Sequence, residues 1–301
     1  IKGFQIQSTS SDPVPYVGSW ASGGSLNTAR NNLSGFGTQT SSIAVGGNNG
    51  GSYYANAESY NGTAFTEVAD LNQARRNTGS AGADNTAGIT FGGSHPSLTP
   101  SPSALNEKWN GSSWTEVNDL NTARGLLSGT GTQTAALGIA GGPNPGVNNV
   151  ESWDGSSWTE IAEVNTARNA GAASGLQPAA LFFGGYTTTD VANTEVWNGS
   201  AWTEVNDLNT ARSYLGGSDN TSTSALAFGG VTTTQLANTE SWNGTSWAEV
   251  NDLATARNSI GGTGASSTSA LAFGGYNGST GVSNTEEFSF PSITASILQE
   301  G

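Results

Sequence analysis

The 301-residue chain carries 23 Asp and Glu against 9 Lys and Arg, a formal net charge of −14, and only 11% of its residues are charged. That balance disfavours nucleic acid, whose binding needs a basic footprint, and anionic membrane surfaces, and no apolar run approaches the length of a transmembrane helix. The absence of Cys removes disulfides, thiol nucleophiles and thiolate metal sites together.

Met is absent too, so the expectation is that Ile1 follows a cleavage or opens a fragment. Nothing at the N-terminus reads as a signal peptide. Abundant Gly, Ser, Thr and Asn suggest disorder at first sight, but evenly spaced Trp and short apolar runs argue for an ordered all-β protein with many tight turns.

In chain order, residues 1–16 stand outside any repeat. I-K-G-F-Q-I-Q alternates like a short strand, and S-T-S-S-D-P-V-P reads as a linker. A repeat then runs over residues 17–290. Its clearest copy is W-N-G-S-S-W-T-E-V-N-D-L-N-T-A-R at 109–124, restated at 153–168, 197–212 and 242–257 and more loosely at 60–75. Half a copy opens the series, from Trp20 to Arg30. The closing arginines Arg30, Arg75, Arg124, Arg168, Arg212 and Arg257 are spaced by 45, 49, 44, 44 and 45 residues. A period of this length means a repeat architecture.

Each unit divides into four short strands. The first, after the Arg, is rich in Gly, Ala and Ser, as suits the crowded axis of a radial array. The second is a continuous apolar run ending in two glycines, from Gly46-Gly47 through Gly141-Gly142 to Gly274-Gly275, and suits a strand buried on both faces. The third carries Glu-x-aromatic, with Glu58, Glu107, Glu151, Glu195, Glu240 and Glu286 each two residues before a ring. That offset puts acid and ring on one side of a strand. Asn-Gly or Asp-Gly follows in five units and signals a tight hairpin with positive φ. The fourth strand opens on a second aromatic and carries acids, as suits an outer edge.

The two ends of the series are complementary. The N-terminus supplies a fourth strand at Trp20 without the other three, and the last unit stops after its third strand at Phe288. The predicted fold is therefore an all-β, six-bladed β-propeller of four-stranded blades, closed by pairing of these two strands. Residues 291–301 are left over. The apolar-Gly-Gly strand end, Glu-x-Tyr/Trp, second Trp and spaced Arg together resemble the kelch repeat of β-propellers over residues 17–290. The wording of the copies, with N-T-A-R in place of the Pro-rich kelch loop, is also similar to repeat-bearing virion proteins of marine bacteriophages. A WD-repeat propeller fits less well, because Trp153-Asp154 is the only such pair.

The six Arg and six Glu invite two readings, a charged ring for an anionic ligand or a structural pairing between blades. A residue repeated in every blade favours the structural one. Asn-Gly-Ser/Thr sequons read as turns rather than glycosylation sites. S-W-D-G-S-S-W at 152–158 is one residue short of the sialidase Asp-box, and only Arg76 lies outside the repeat to build an arginine cluster. His95, the only His, sits in a Pro- and Ser-rich loop, so a Ser-His-Asp device has little to draw on. Copper chemistry of the galactose oxidase kind lacks its Cys and His. Glu116 and Asp119 could serve Ca²⁺, but they recur on the fourth strand and read as a solvated edge. No metal and no cofactor is expected.

The informative variation lies between the Gly-Gly pair and the third-strand aromatic, where the intervening segments differ in length and content. All six of these loops are expected to open on one face, the usual way a rigid ring carries binding. The expectation is a non-enzymatic module at a virion surface or in another extracellular setting: a phage tail fibre, decoration or host-recognition component. Tyr53, Tyr54, His95, Tyr186 and Tyr276 are the candidate residues for a host-surface glycan. Residues 1–16 and 291–301 are expected to contact other proteins of the assembly. The alternatives are a secreted lectin or adhesin, or a glycan-acting enzyme with two axial carboxylates.

Overall fold

A computed structural model describes residues 17–97, 101–143, 145–218 and 220–290. The expected tail contacts of residues 1–16 and 291–301 lie outside the described residues. The chain forms six four-stranded antiparallel sheets arranged as the blades of a β-propeller, plus one two-stranded hairpin, Asn48–Asn49 with Ser52–Tyr53. The first blade runs Ser34–Thr38, Ser41–Val45, Ala57–Tyr60 and Phe65–Val68 outward from the axis. The last takes Gly261–Ser266, Ser269–Phe273 and Thr285–Ser289 from the end of the repeat and Ser19–Ser22 from its beginning. Trp20 faces Phe288 in that closing pair, and Ser19 faces Ser289. The predicted closure is the observed one.

The core sits between blades. One cluster joins Leu137, Ile139 and Val150 of the third blade to Phe182, Trp197 and Trp202 of the fourth, and the same mixture recurs round the ring. Within each of four blades the two Trp rings pack 5.2–5.4 Å apart. The indoles also tie strands to loops: Trp202 Nε1 donates to Ala162 O of the preceding blade at 3.1 Å, and Trp197 Nε1 to Gln177 O at 2.9 Å. Small residues at the axis follow from close approach. A Cβ added to Gly129 would sit 2.4 Å from the backbone N of Ser80 on the neighbouring first strand.

Two details depart from the sequence reading. In the third blade the left-handed stretch is Ala140-Gly141-Gly142, beginning one residue before the glycines that mark it in the sequence. Ala140 takes φ 54°, and its N–H and that of Gly141 make the bonds that Gly46 and Gly47 make in the first blade. The Asn-Gly hairpins are also longer than a two-residue turn. Asn110 Oδ1 accepts the backbone N–H groups of Ser112 and Ser113, so the side chain organises the turn and only Gly111, at φ 91°, goes left-handed. Asp154 does the same in the third blade, and these donors, the Ser156 hydroxyl foremost, hold its carboxyl down at about 2.

Candidate functional site

Each repeat Arg ends the outer edge of one blade and reaches into the next. The six pairs are Arg30–Glu58, Arg75–Glu107, Arg124–Glu151, Arg168–Glu195, Arg212–Glu240 and Arg257–Glu286, and every guanidinium is buried. Arg124 shows the full pattern. Its Nη1 donates to Ala140 O and Asn149 O at 3.0 and 2.6 Å, and its Nη2 to Gly138 O and Glu151 at 3.2 and 3.0 Å. Glu151 in turn accepts the N–H and side-chain amide of Asn121. Burial lowers the Arg124 pKa and the Glu151 charge opposes that shift. Each guanidinium is held inside the ring by its Glu and by backbone carbonyls, although the Nε of Arg30, Arg75, Arg124, Arg212 and Arg257 is buried without a partner.

Two residues beyond each Arg the chain turns left-handed. Asn32, Asn77, Leu126, Ala170, Tyr214 and Ser259 all have φ between 52° and 57°. Their backbones form a closed circle. Asn77 N–H donates to Asn32 O, Leu126 to Asn77, Ala170 to Leu126, Tyr214 to Ala170, Ser259 to Tyr214 and Asn32 back to Ser259, all at 2.8–3.0 Å. The circle crowns an axial channel of about 130 Å³ lined by the first strands of all six blades. Its side chains differ in nearly every blade although its backbone does not. Positive φ is costly for Leu, Ala and Tyr, and the six bonds hold it in place.

In five units the residue after the Arg pairs with the loop that follows the second strand, Asn31 with Asn48, Arg76 with Ser94, Asn169 with Tyr186, Ser213 with Val231 and Asn258 with Tyr276, and after Arg124 the Gly125 carbonyl accepts from Gly142 N–H. The variable loops and the circle therefore share one face of the ring. On that face a depression of about 520 Å³ spans the mouth, within the ~300–1,000 Å³ range of small-ligand pockets. Asn31, Arg76, Asn77, Tyr214, Asn258 and Tyr276 line it together with further Asn, Ser, Thr and Gly, and its lining contains no Asp or Glu.

Part of the lining is already tied up. Asn49 Oδ1 accepts from Thr280 Oγ1 and Gly281 N at 3.2 and 3.1 Å, joining the last blade to the first. Asn32 Nδ2 donates to Asn31 and Asn48. Other atoms are uncommitted: Arg76 Nε and Asn258 Oδ1 are buried and make no hydrogen bond. Among the described residues Arg76 has no ion-pair partner. It lies over the ring of Tyr53, 5.1 Å from the centroid. Burial raises the Tyr214 pKa, the nearby Arg76 charge opposes the rise, and Asp190, which accepts from Ser213 Oγ at 2.6 Å, adds to it.

Of the five loop residues proposed from the sequence, Tyr276 lines the depression. Tyr53, whose ring lies beneath Arg76, meets His95 edge to face at 4.7 Å, and His95 Nδ1 accepts from Ser97 N. Tyr186 pairs through its backbone with Asn169 and Asp190. Tyr54 is half-buried, its N–H on Gly47 O. None of these four, Tyr53, His95, Tyr186 and Tyr54, lines the depression. Arg76, Tyr214 and Asn258 were not singled out as ligand residues. Their signal was present in position: they stand one or two residues after the invariant Arg, where near-identical repeats diverge. The chain matches no protein-family profile and no curated protein.

Proposed function

We propose that this protein is a non-enzymatic binding module of kelch type, displayed by a virion or another extracellular assembly, that holds a host-surface glycan at the mouth of its ring. The depression carries this reading. It is polar, rigidly framed by the backbone circle, and built from residues that vary while the rest of the repeat does not. Tyr faces and amide or hydroxyl groups are the partners a sugar uses for its C–H face and its hydroxyls. A glycosidase needs two carboxylates flanking the bond, and the lining offers none.

Chain geometry favours display. Ser19 and Ser289 lie side by side, next to the turn whose Gln39 donates to Phe288 O at 2.7 Å. That turn joins first and second strands, so the chain enters and leaves the ring on the face opposite the depression. A support attached at either end leaves the mouth clear. The resemblance of the repeats to marine phage structural proteins makes a tail or decoration component the proposed setting.

The test is a glycan array with the purified chain, alongside mass-spectrometric detection of the chain in intact particles. Binding to defined glycans without turnover is expected. Sugar turnover abolished by substitution of one carboxylate would overturn the binding-module reading.

A further inference from the structure

Arg76 is the starting point. Every other described Arg has a Glu within 3.2 Å. Arg76 has none, and it lines a cavity instead of pairing inside the ring; its buried Nε lacks a partner, as does that of five repeat arginines, but only Arg76 also lacks a carboxylate. A buried donor left without an acceptor is costly, and more so when it is charged. In a chain with a net charge of −14, a guanidinium held away from carboxylates is available to an anion from outside. Guanidinium geometry suits a carboxylate, which it binds through two parallel N–H donors.

The second uncommitted atom is of the opposite kind. Asn258 Oδ1 is an acceptor, buried in the same lining, with no donor. A ligand filling the cavity therefore presents an anionic acceptor to Arg76 and a neutral polar group to the Asn258 amide, which lines the same depression. Tyr214 and Tyr276 add ring faces. The lining has no Leu, Ile, Val or Phe to anchor a peptide side chain, and peptide recognition works through such pockets or an open strand edge. A carboxylate and hydroxyls on one compact polar ring satisfy all these groups together.

We infer that the depression takes an acidic saccharide of the uronic or sialic acid kind, its carboxylate on Arg76 and a hydroxyl against the Asn258 amide. The inference rests on the glycan-binding reading above and narrows it to one charge class. The binding groups come from different parts of the ring. Arg76 leads into the second blade, Tyr214 into the fifth and Asn258 into the sixth, so the site exists only when the ring is closed.

The experiment is calorimetric titration of the intact chain with a uronic-acid oligosaccharide, a sialylated one, and the same two with the carboxyl reduced to an alcohol. Binding of at least one acidic sugar is expected, with a loss of roughly 10- to 100-fold on carboxyl reduction, the worth of a charge-assisted hydrogen bond. Arg76→Gln should reproduce that loss and no longer discriminate the reduced sugar. Asn258→Asp, nearly isosteric, should also weaken the acidic sugar by placing a negative charge beside it, whereas Lys108→Gln, with the same change of net charge as Arg76→Gln, should leave affinity unchanged. Circular dichroism of each variant establishes folding, and the reduced-sugar comparison on the unaltered chain needs no variant. Equal binding of acidic and reduced sugars would overturn the inference while leaving glycan binding standing. Binding of an acidic peptide with no saccharide binding would overturn both.

Discussion

Arg124 and Arg212 occupy equivalent positions, but the ring satisfies them unequally, and substituting each by Met should expose the difference. Both are buried against a Glu, and removing one partner of a buried pair costs about 3–5 kcal/mol. Arg124 also caps the carbonyls of Ala140, Asn149 and Gly138, whereas Arg212 caps only that of Ala227, at 3.2 Å. Two additional carbonyls lose their donor in Arg124→Met, each worth about 0.5–1.5 kcal/mol, or about 1–3 kcal/mol together. Arg212 buries an Nη1 without a partner, a penalty its removal relieves. Arg124→Met should therefore destabilise more than Arg212→Met by at least about 1 kcal/mol in urea unfolding followed by Trp fluorescence. Adding Glu151→Gln to Arg124→Met should recover part of the loss, because the uncharged amide oxygen still accepts from Asn121. Equal costs for the two Arg substitutions, or either cost below about 0.5 kcal/mol, would refute the account of these residues as internal struts.

Deleting residues 1–24 removes the outer strand of the last blade and the contacts of Trp20 with Phe228 and Phe288. The melting temperature should fall sharply, and an unchanged one would contradict strand closure. Trp202→Ala empties a site between two blades and should cost about 3–5 kcal/mol, measured by the same unfolding assay. The buried Tyr60 hydroxyl donates to Glu287 across the seam, and burial foremost, then that bond, pushes its pKa from 10.0 up to about 12. Between those values the folded chain keeps a proton that the unfolded chain has lost, so stability should fall as pH rises through that window. Tyr60→Phe should flatten the decline, and an identical slope in the variant would show that other groups cause it.

Blade number and closure were legible in the sequence because they depend on residues the fold needs in every unit. Trp, Glu and Arg recur since each blade buries the same faces against its neighbour, and the half-units at either end could be counted. Tyr276 was legible as an aromatic in a variable loop. The circle at the mouth was not, because left-handed geometry is usually announced by Gly or Asn and here only Asn32 and Asn77 comply. Leu126, Ala170 and Tyr214 take that geometry from hydrogen bonds to residues some 45 positions away, which no local pattern encodes. Arg76 was noticed as the Arg left over from the repeat. That it shares a depression with Asn258, distant in sequence, came only from folding the ring.

The closing strand also sets how the ring responds to tension. Ser19–Ser22 has one hydrogen-bonded neighbour, antiparallel to it, and the two chain ends emerge together at Ser19 and Ser289. Pulling those ends apart opens the pairs one at a time, like a zip, instead of shearing them all at once. If a support holds only one end, that strand bears the whole drag of whatever is bound at the mouth. If it holds both, the two ends are drawn in the same direction and the pairing between them is not forced open. Single-molecule stretching between the ends should give a low rupture force, and loading from both ends toward the mouth a much higher one.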